Sequence, residues 1–399
     1  MSDIFAPNEY SYERTHGFIN WRMDWLDKLP NETWLALGEI RSKCEHLSLA
    51  PLRREARDNL YKVNLARGVS ASAAIEGNSL SEDEVAARID NKPVGIDSPE
   101  QHVREVDNLI GLSREILAGV ITSGVTPLTP EWLVAINEKV LAGLPIDPTF
   151  RDANGYSTKT MGVRSYISPD HSNYRPLIDE LCVWLNGDAW NFDRDNKISS
   201  GILKALVGHL YLLWIHPFPD GNGRTARLLE QRFLLECGVP DISIHLLSNH
   251  YNTTRQEYFD SVEMSHRDHV GHIEEFVEYA VRGILKRIRE QTDIARLSVI
   301  KDVWKNVIHD AFAAEQGSVA KRRRRELALT LGFVKPLFRR EIRRASPILA
   351  EMYAGKGPKT VARDINELLQ MKLAKRQDGG IVGNLGLISD QLPYRHIED

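Results

Sequence analysis

The chain has 399 residues, with 51 Lys or Arg against 55 Asp or Glu and a formal net charge of −4. At about 150 residues per domain that length predicts two or three cores, and a composition of 42% apolar and 27% charged residues excludes a disordered, collagen-like or repeat-biased chain. The acidic balance argues against holding nucleic acid by bulk charge.

No run reaches the roughly 18 consecutive apolar residues of a membrane helix, because Gly208 and His209 interrupt the richest stretch, Ala205 to Ile215. The N-terminus lacks a basic segment followed by an apolar core, so a cytoplasmic address and no membrane partner are expected. Cys44, Cys182 and Cys237 are odd in number and far apart, which fits ordinary thiols and neither a disulfide framework nor a metal spacing.

In chain order, Trp, Leu and Ile recur at three- and four-residue spacing over about 21–50, and the pattern continues over Leu52 to Ser72, so both read as amphipathic helices. The second is expected to end at Gly77-Asn78, residues tolerant of a left-handed helix terminus. Ser81 and Glu84 then form a capping box that opens the next helix. Further helices are expected over 99–118, 130–143 and 176–187. Phe150 to Pro169, with Gly155, Gly162, Thr158, Thr160, Val163, Tyr166 and Ile167, favours a short hairpin. Apolar Ile198 to Ile215 and Arg224 to Cys237 read as helices on either side of a loop, the latter stopped by Gly238 and Pro240. One or two more helices cover about 253–291.

Beyond about residue 295, helices are expected near 295–315, 319–331 and 336–345. Thr360 to Lys372 then reads as a helix with Thr360 as N-cap and Val361, Ile365, Leu368 and Leu369 inward. A turn around Asp378-Gly-Gly380 separates two short strands. Helix, turn, helix, ribbon is the order of a winged helix. From Lys321 to Arg344, ten Lys or Arg stand against two acids. The run Lys321 to Arg325 reads as a solvated helix face, while Lys359, Arg363 and the basic ribbon suit phosphate contacts.

The chemistry concentrates in His216-Pro-Phe-Pro-Asp220-Gly221-Asn222-Gly223-Arg224-Thr-Ala-Arg227. Two glycines around an asparagine let consecutive amides turn toward one point, a nest for an anion. The helix that begins there adds free amides and its dipole. Arg224 and Arg227, three apart, share one face and offer forks for phosphate oxygens. Asp220 supplies a hard oxygen for magnesium beside those phosphates. His216, with an ordinary pKa near 6.5, suits proton abstraction. Phe218 reads as the loop's apolar anchor. A base beside an anion nest, two arginines and a carboxylate are the parts of phosphoryl or nucleotidyl transfer.

These residues resemble the Fic domain signature H-P-F-x-[D/E]-G-N-G-R-x-x-R, matched at every fixed position from His216 through Arg227. The resemblance covers roughly residues 50–290. It implies a mostly α fold: a Fic-type helical core with a short β-hairpin flap, here followed by the winged-helix-like region. The expected domains are 1–98 with an inhibitory motif, the core at 99–292, and 293–399. It also implies transfer of AMP from ATP, with Mg2+, to a hydroxyl of a target protein. Carried over, His216 deprotonates the target hydroxyl and Asp220 holds the metal. Gly221, Asn222, Gly223 and Arg224 bind phosphates, and Arg227 binds the γ-phosphate. Related Doc toxins, which look like phosphotransferases, carry Lys where this chain has Gly223, so AMP transfer is preferred.

The hairpin at about 155–167 sits where the family's flap docks a target segment as an added strand. Tyr251 and Tyr258 fall where the resemblance puts the nucleotide side. Ser72-Ala-Ala-Ile-Glu76-Gly77 resembles the family's inhibitory motif [S/T]-x-x-x-E-[G/N]. With Glu76 at a helix end and Ser72 one turn earlier, a Glu76–Arg227 pair would occupy the γ-phosphate position. In some members the same glutamate also helps water remove AMP, so a bifunctional AMPylase/deAMPylase is one alternative. A nucleotide-sensing DNA-binding regulator is another. The partner readings are a protein with a Tyr, Ser or Thr hydroxyl, the chain itself, a second copy, and DNA or protein through the C-terminal region. Ser265-His266-Arg-Asp268-His269-Val-Gly-His272 has histidines three apart, but no further ligand nearby, and the resemblance places it at a loop and helix start.

Overall fold

The computed structural model describes residues 11–93, 98–163, 165–191, 197–267, 271–313 and 317–389. They form two compact units, one of residues up to Leu49 and Arg53–Thr292, the other of Ala50–Leu52 and Asp293 onward. The helices before residue 99 therefore share a unit with those that follow.

The first unit opens with two short 3₁₀ turns, Ser11–Arg14 and Asp24–Lys28, then helix α1, Asn31–Leu49. A single helix from about residue 21 was the expectation. Pro30 divides it, because the residue before a proline is driven out of the helical region, and Leu29 is accordingly extended at φ −66°, ψ 130°. Helix α2, Arg54–Ile75, ends in a Schellman motif: Gly77 at φ 97° donates to Ala74 O at 3.0 Å and Asn78 to Ala73 O at 3.1 Å. Ser81 caps α3, Glu82–Ile89, with the reciprocal Glu84 contact that defines a capping box. Helices α4, Glu100–Ser123, and α5, Pro130–Val140, follow.

The hairpin is shorter than its sequence suggests: β1, Gly162–Val163, pairs antiparallel with β2, Tyr166–Ile167. Then come α6, Tyr174–Asn186; α7, Lys197–Ile215; α8, Asn222–Cys237; α9, Leu246–Thr253; α10, Arg255–Met264; and α11, Ile273–Ala311. The sequence pattern placed a break near residue 291 that α11 does not have.

Helix α7 is the axis of the unit. Its Leu203, Leu206, Leu210 and Ile215 have no exposed surface, and each such burial stabilises by roughly 1.5–3 kcal/mol. It is long and apolar enough to cross a membrane, yet it is mostly buried inside the protein. Gly201 lets it approach α8 closely: a Cβ there would lie 2.0 Å from that of Cys237. This close pairing fixes where the loop between α7 and α8 projects. The three thiols are buried, and burial pushes each up to about 12.

In the second unit, Trp304, Ile308 and Phe312 pack with α12, Val319–Leu331, α13, Pro347–Met352, and α14, Pro358–Gln370. Helix α13 was not anticipated; a helix at 336–345 was, where only the 3₁₀ turn Ile342–Arg344 forms. The cap of α14 is also corrected. Gly357 is the N-cap and Pro358 the first helical residue, since proline's fixed φ and missing N–H suit that position; Thr360 lies inside. Strands β3, Ala374–Gln377, and β4, Gly380–Gly383, pair through Asp378-Gly379, both at positive φ as a two-residue hairpin requires. A final turn of helix, α15, spans Gly386–Ser389.

Candidate anion site and its carboxylate latch

The loop between α7 and α8 is anchored from below. Asn222, 2% exposed, donates through Nδ2 to Phe218 O at 2.7 Å and accepts from Phe218 N–H at 3.0 Å. Its side chain therefore sets the loop's shape from the buried side. Phe218 is fully buried and stacks on Tyr156 at 6.1 Å. Pro217 O accepts from Ser157 N–H at 2.8 Å, which ties the loop to the segment leading into the hairpin.

Asn137 on α5 donates to Asp220 O at 2.9 Å and Thr225 Oγ1 at 3.0 Å, and accepts from Arg151. Gly221, at φ 76°, is the N-cap of α8, with no capping side chain. The first-turn amides of α8 thus have no carbonyl partner within the helix and face outward. A Cβ at Gly221 would fall 3.0 Å from Asn137 Nδ2 and 3.2 Å from Val140. Gly221→Ala is expected to destabilise by about 1–2 kcal/mol from the left-handed backbone plus this crowding, measured as an earlier urea midpoint with unchanged slope.

His216 sits at the other lip in a left-handed conformation, φ 50°, rare for a non-glycine residue and costing of order 1–3 kcal/mol. Its Nδ1 lies 3.3 Å from Leu213 O. An Nδ1–H donated to that carbonyl leaves Nε2 as the proton acceptor. Desolvation pushes the imidazole below its ordinary pKa, and the Leu213 contact with the Glu76 and Asp220 charges offsets only part of that. The ring is therefore neutral at neutral pH.

Both arginines are buried, Arg224 at 5% and Arg227 at 1% exposure. Arg224 pairs with Glu105 of α4 and with Asp220 Oδ1 at 2.9 Å. Arg227 donates from Nε to Ser72 Oγ at 2.8 Å, and from Nη2 to Ser72 O at 3.0 Å and Glu76 Oε1 at 2.7 Å. Its Nη1 is buried, and the guanidinium also interacts with the Tyr258 hydroxyl. Glu76 stands over the helix terminus itself: a Cβ on Gly223 would fall 2.5 Å from Glu76 Oε1. Burial pushes the Glu76 carboxyl up, but the Arg227 charge and hydrogen bond, with Arg224 and His216, bring it below the usual range. It is a carboxylate, placed where an external anion would meet Arg227.

His216, Glu76, Gly223, Arg227 and Tyr258 line one cavity of about 120 Å3, walled by Ile75, Tyr166, Leu213, Trp214, Phe259 and Val262. That is below the roughly 300–1,000 Å3 of small-molecule sites. The hairpin forms part of the rim, held by Tyr166 OH donating to Trp214 O at 2.5 Å. Beside it, His16 Nε2 lies 2.9 Å from Ile167 O, so part of that strand edge is already engaged.

Tyr258 reaches the cavity wall. Tyr251 lies one layer behind, fully buried, its hydroxyl donating to Glu230 Oε2 at 2.8 Å and its ring stacked 4.7 Å from Tyr258. Asp220 is half exposed and uses one oxygen on Arg224 and its neighbouring amide. Among the described residues no three His, Cys, Asp or Glu gather to hold a metal. Of the histidine cluster, Asp268 and His269 lie outside the described residues, while the His266 ring lies tilted against Tyr166 with centroids 4.6 Å apart.

Sequence reasoning missed Glu105, Asn137 and Arg151, and gave Asn78 a place only at the helix end. Asn78 donates to Glu105 Oε2 at 2.7 Å, so the turn after Glu76 is coupled to Arg224 as well. Glu105 and Arg224 are 119 residues apart, and no local pattern signals such a pairing.

The Fic/DOC family model matches residues 127–234. Protein adenylyltransferase fic-1 of Caenorhabditis elegans is 26% identical over 251 residues, covering 62% of this chain and 44% of its own. Protein adenylyltransferase Fic of Nematostella vectensis is 25% identical over 249 residues, covering 62% and 53%. The chain thus spans about half the length of these curated relatives. A Fic family protein from Desulfovibrio desulfuricans has a similar fold, with TM-score 0.54, 19% identity, and coverage of 88% of this chain and 93% of its own. A Fic domain containing signaling protein from Bacteroides thetaiotaomicron matches at TM-score 0.54 and 20% identity, covering 65% and 97%.

Proposed function

We propose, from the premise that this chain carries a Fic/DOC domain over residues 127–234, that it transfers AMP from ATP to a hydroxyl side chain of a target protein and restrains itself through Glu76. The observation that carries the reading is one loop bringing His216, the uncapped start of α8 and Arg227 to a single cavity. The names of the relatives support the same reaction class.

In the transfer, His216 Nε2 accepts the proton of the attacking Tyr, Ser or Thr hydroxyl as its oxygen bonds to the α-phosphorus, and the bond to pyrophosphate breaks. The α8 amides and Arg224 bind phosphate oxygens, and Arg227 takes the γ-phosphate once Glu76 withdraws. Arg227, which lines the cavity beside Tyr258, is placed for that second contact. Asp220, half exposed with one oxygen on Arg224, fits a single-carboxylate Mg2+ site completed by phosphate oxygens. Bound there, the ion would neutralise phosphate charge. The target docks along the hairpin by main-chain pairing. The second unit, with helix, turn, helix and ribbon in order, is read as a winged helix.

Two labels separate this from its rivals. With α-labelled ATP, covalent label on protein supports AMP transfer; label from the γ position alone would make the enzyme a kinase, and no covalent label from either would favour a nucleotide sensor.

The depressed His216 pKa sets the pH dependence. The basic form is present above that pKa, so the acid limb of kcat/KM is expected below pH 6.5 rather than at it. Removing Glu76 deletes one of the charges holding the imidazole up, which moves the limb further down. A limb at or above 6.5 in the Glu76→Gly protein would contradict the assignment. The latch has the complementary dependence. With the carboxyl of Glu76 below its ordinary 4.5 in the folded state, its contribution is complete above 4.5 and is lost as pH falls through the lower value.

A further inference from the structure

Helix α14 carries two faces of different chemistry. Inward, Val361, Ile365 and Leu368 join the core of the second unit. Of the two acids of the helix, Asp364, 1% exposed, is consumed by Arg323 at 2.6 Å and the Tyr353 hydroxyl at 3.0 Å, and Glu367, its side chain 43% exposed, pairs with Arg324 at 3.1 Å on the flank. Outward, Lys359, Arg363, Asn366 and Gln370 are all exposed. Their spacing of four, three and four residues makes one continuous stripe, about 16 Å long at 1.5 Å per residue. The stripe contains no carboxylate.

The flanks repeat the bias. Lys356 precedes the helix, Lys372 follows it, and Lys375 and Arg376 stand exposed on β3 beside it. Lys356, Lys359, Arg363, Lys372, Lys375 and Arg376 have no ion-pair partner assigned among the described residues. The turn before α14 is fixed by Arg343, which donates to Lys356 O. The ribbon is held as a third rung by Leu337, whose N–H and C=O exchange bonds with Ile381 at 3.0 and 2.9 Å.

We propose that α14 and the β3–β4 ribbon form an interface for duplex DNA, with α14 in the major groove. A helix of 10–12 Å diameter fits a groove about 12 Å wide. Arg363 is the residue type that reads guanine O6 and N7; Asn366 and Gln370 are the types that read adenine N6 and N7. Lys359, Lys375 and Arg376 lie at the edges, where cations meet phosphates and set position. A protein partner would favour aromatic or aliphatic anchors at the centre of its patch; this stripe has none. A-form RNA is disfavoured because its deep, narrow major groove does not admit a helix. The interface is independent of AMP transfer.

Fluorescence anisotropy of the full chain with a labelled mixed-sequence DNA duplex of about 30 base pairs tests it, titrated between roughly 50 and 200 mM salt. Affinity is expected to fall steeply with salt, and Lys375→Ala/Arg376→Ala to reduce the slope of log K against log salt by about 2. Arg363→Ala/Asn366→Ala is expected to abolish the sequence preference selected from a randomised duplex pool while leaving thermal unfolding unchanged. No anisotropy change at the lowest salt, slopes unaltered by the ribbon variant, or equally tight binding of duplex RNA would each overturn the proposal.

Discussion

Glu76→Gly raises covalent transfer of label from α-labelled ATP by about 10- to 100-fold over the natural chain. A hydrogen bond to a charged group contributes roughly 1.5–3 kcal/mol, and every 1.4 kcal/mol is a factor of ten. The Glu76 side chain is 35% exposed, so solvent screening draws the figure toward the lower end. Geometry adds to energy: the carboxylate covers Gly223 and occupies the Nη2 of Arg227, so its removal opens the start of α8 and frees the guanidinium together. Arg227 keeps its two contacts to Ser72, which hold it in place without the glutamate. Equal labelling of the two proteins would refute the latch.

His216→Ala, made in the Glu76→Gly chain so that there is a rate to lose, lowers transfer by roughly 10² to 10⁴, the range for removing a general base. ATP binding to the same protein should change little, because the amides and arginines remain. Unfolding should shift little, since alanine at φ 50° carries the same left-handed backbone cost as histidine. Loss of nucleotide binding in step with activity would assign His216 to binding instead of proton transfer.

Much of this site was legible from one contiguous stretch, because an anion nest needs glycine, a helix start and cations within a few residues of each other. The Ser72 and Glu76 pair was legible for the same reason: one helical turn separates them, and a Schellman ending leaves Glu76 at the tip. What escaped was long-range. Glu105, buried against Arg224 from another helix, looks in sequence like any surface glutamate of an amphipathic segment. Asn137 and Arg151 brace the loop from elements whose approach depends on packing, and Tyr251 and Tyr258, seven residues apart, fall on two short helices separated by the break at Thr254. Boundaries failed at prolines: Pro30 split the first helix and Pro358 moved the cap of α14, each by fixing φ and withholding an N–H.

The central claim is that the α7–α8 loop delivers the α-phosphorus of ATP to a hydroxyl under control of Glu76. Intact-mass spectrometry of the Glu76→Gly chain after exposure to ATP and Mg2+ tests it most directly. The account predicts added mass equal to whole AMP units, absent when His216→Ala is combined. Addition of phosphate alone, or the same AMP mass in the double variant, would contradict it.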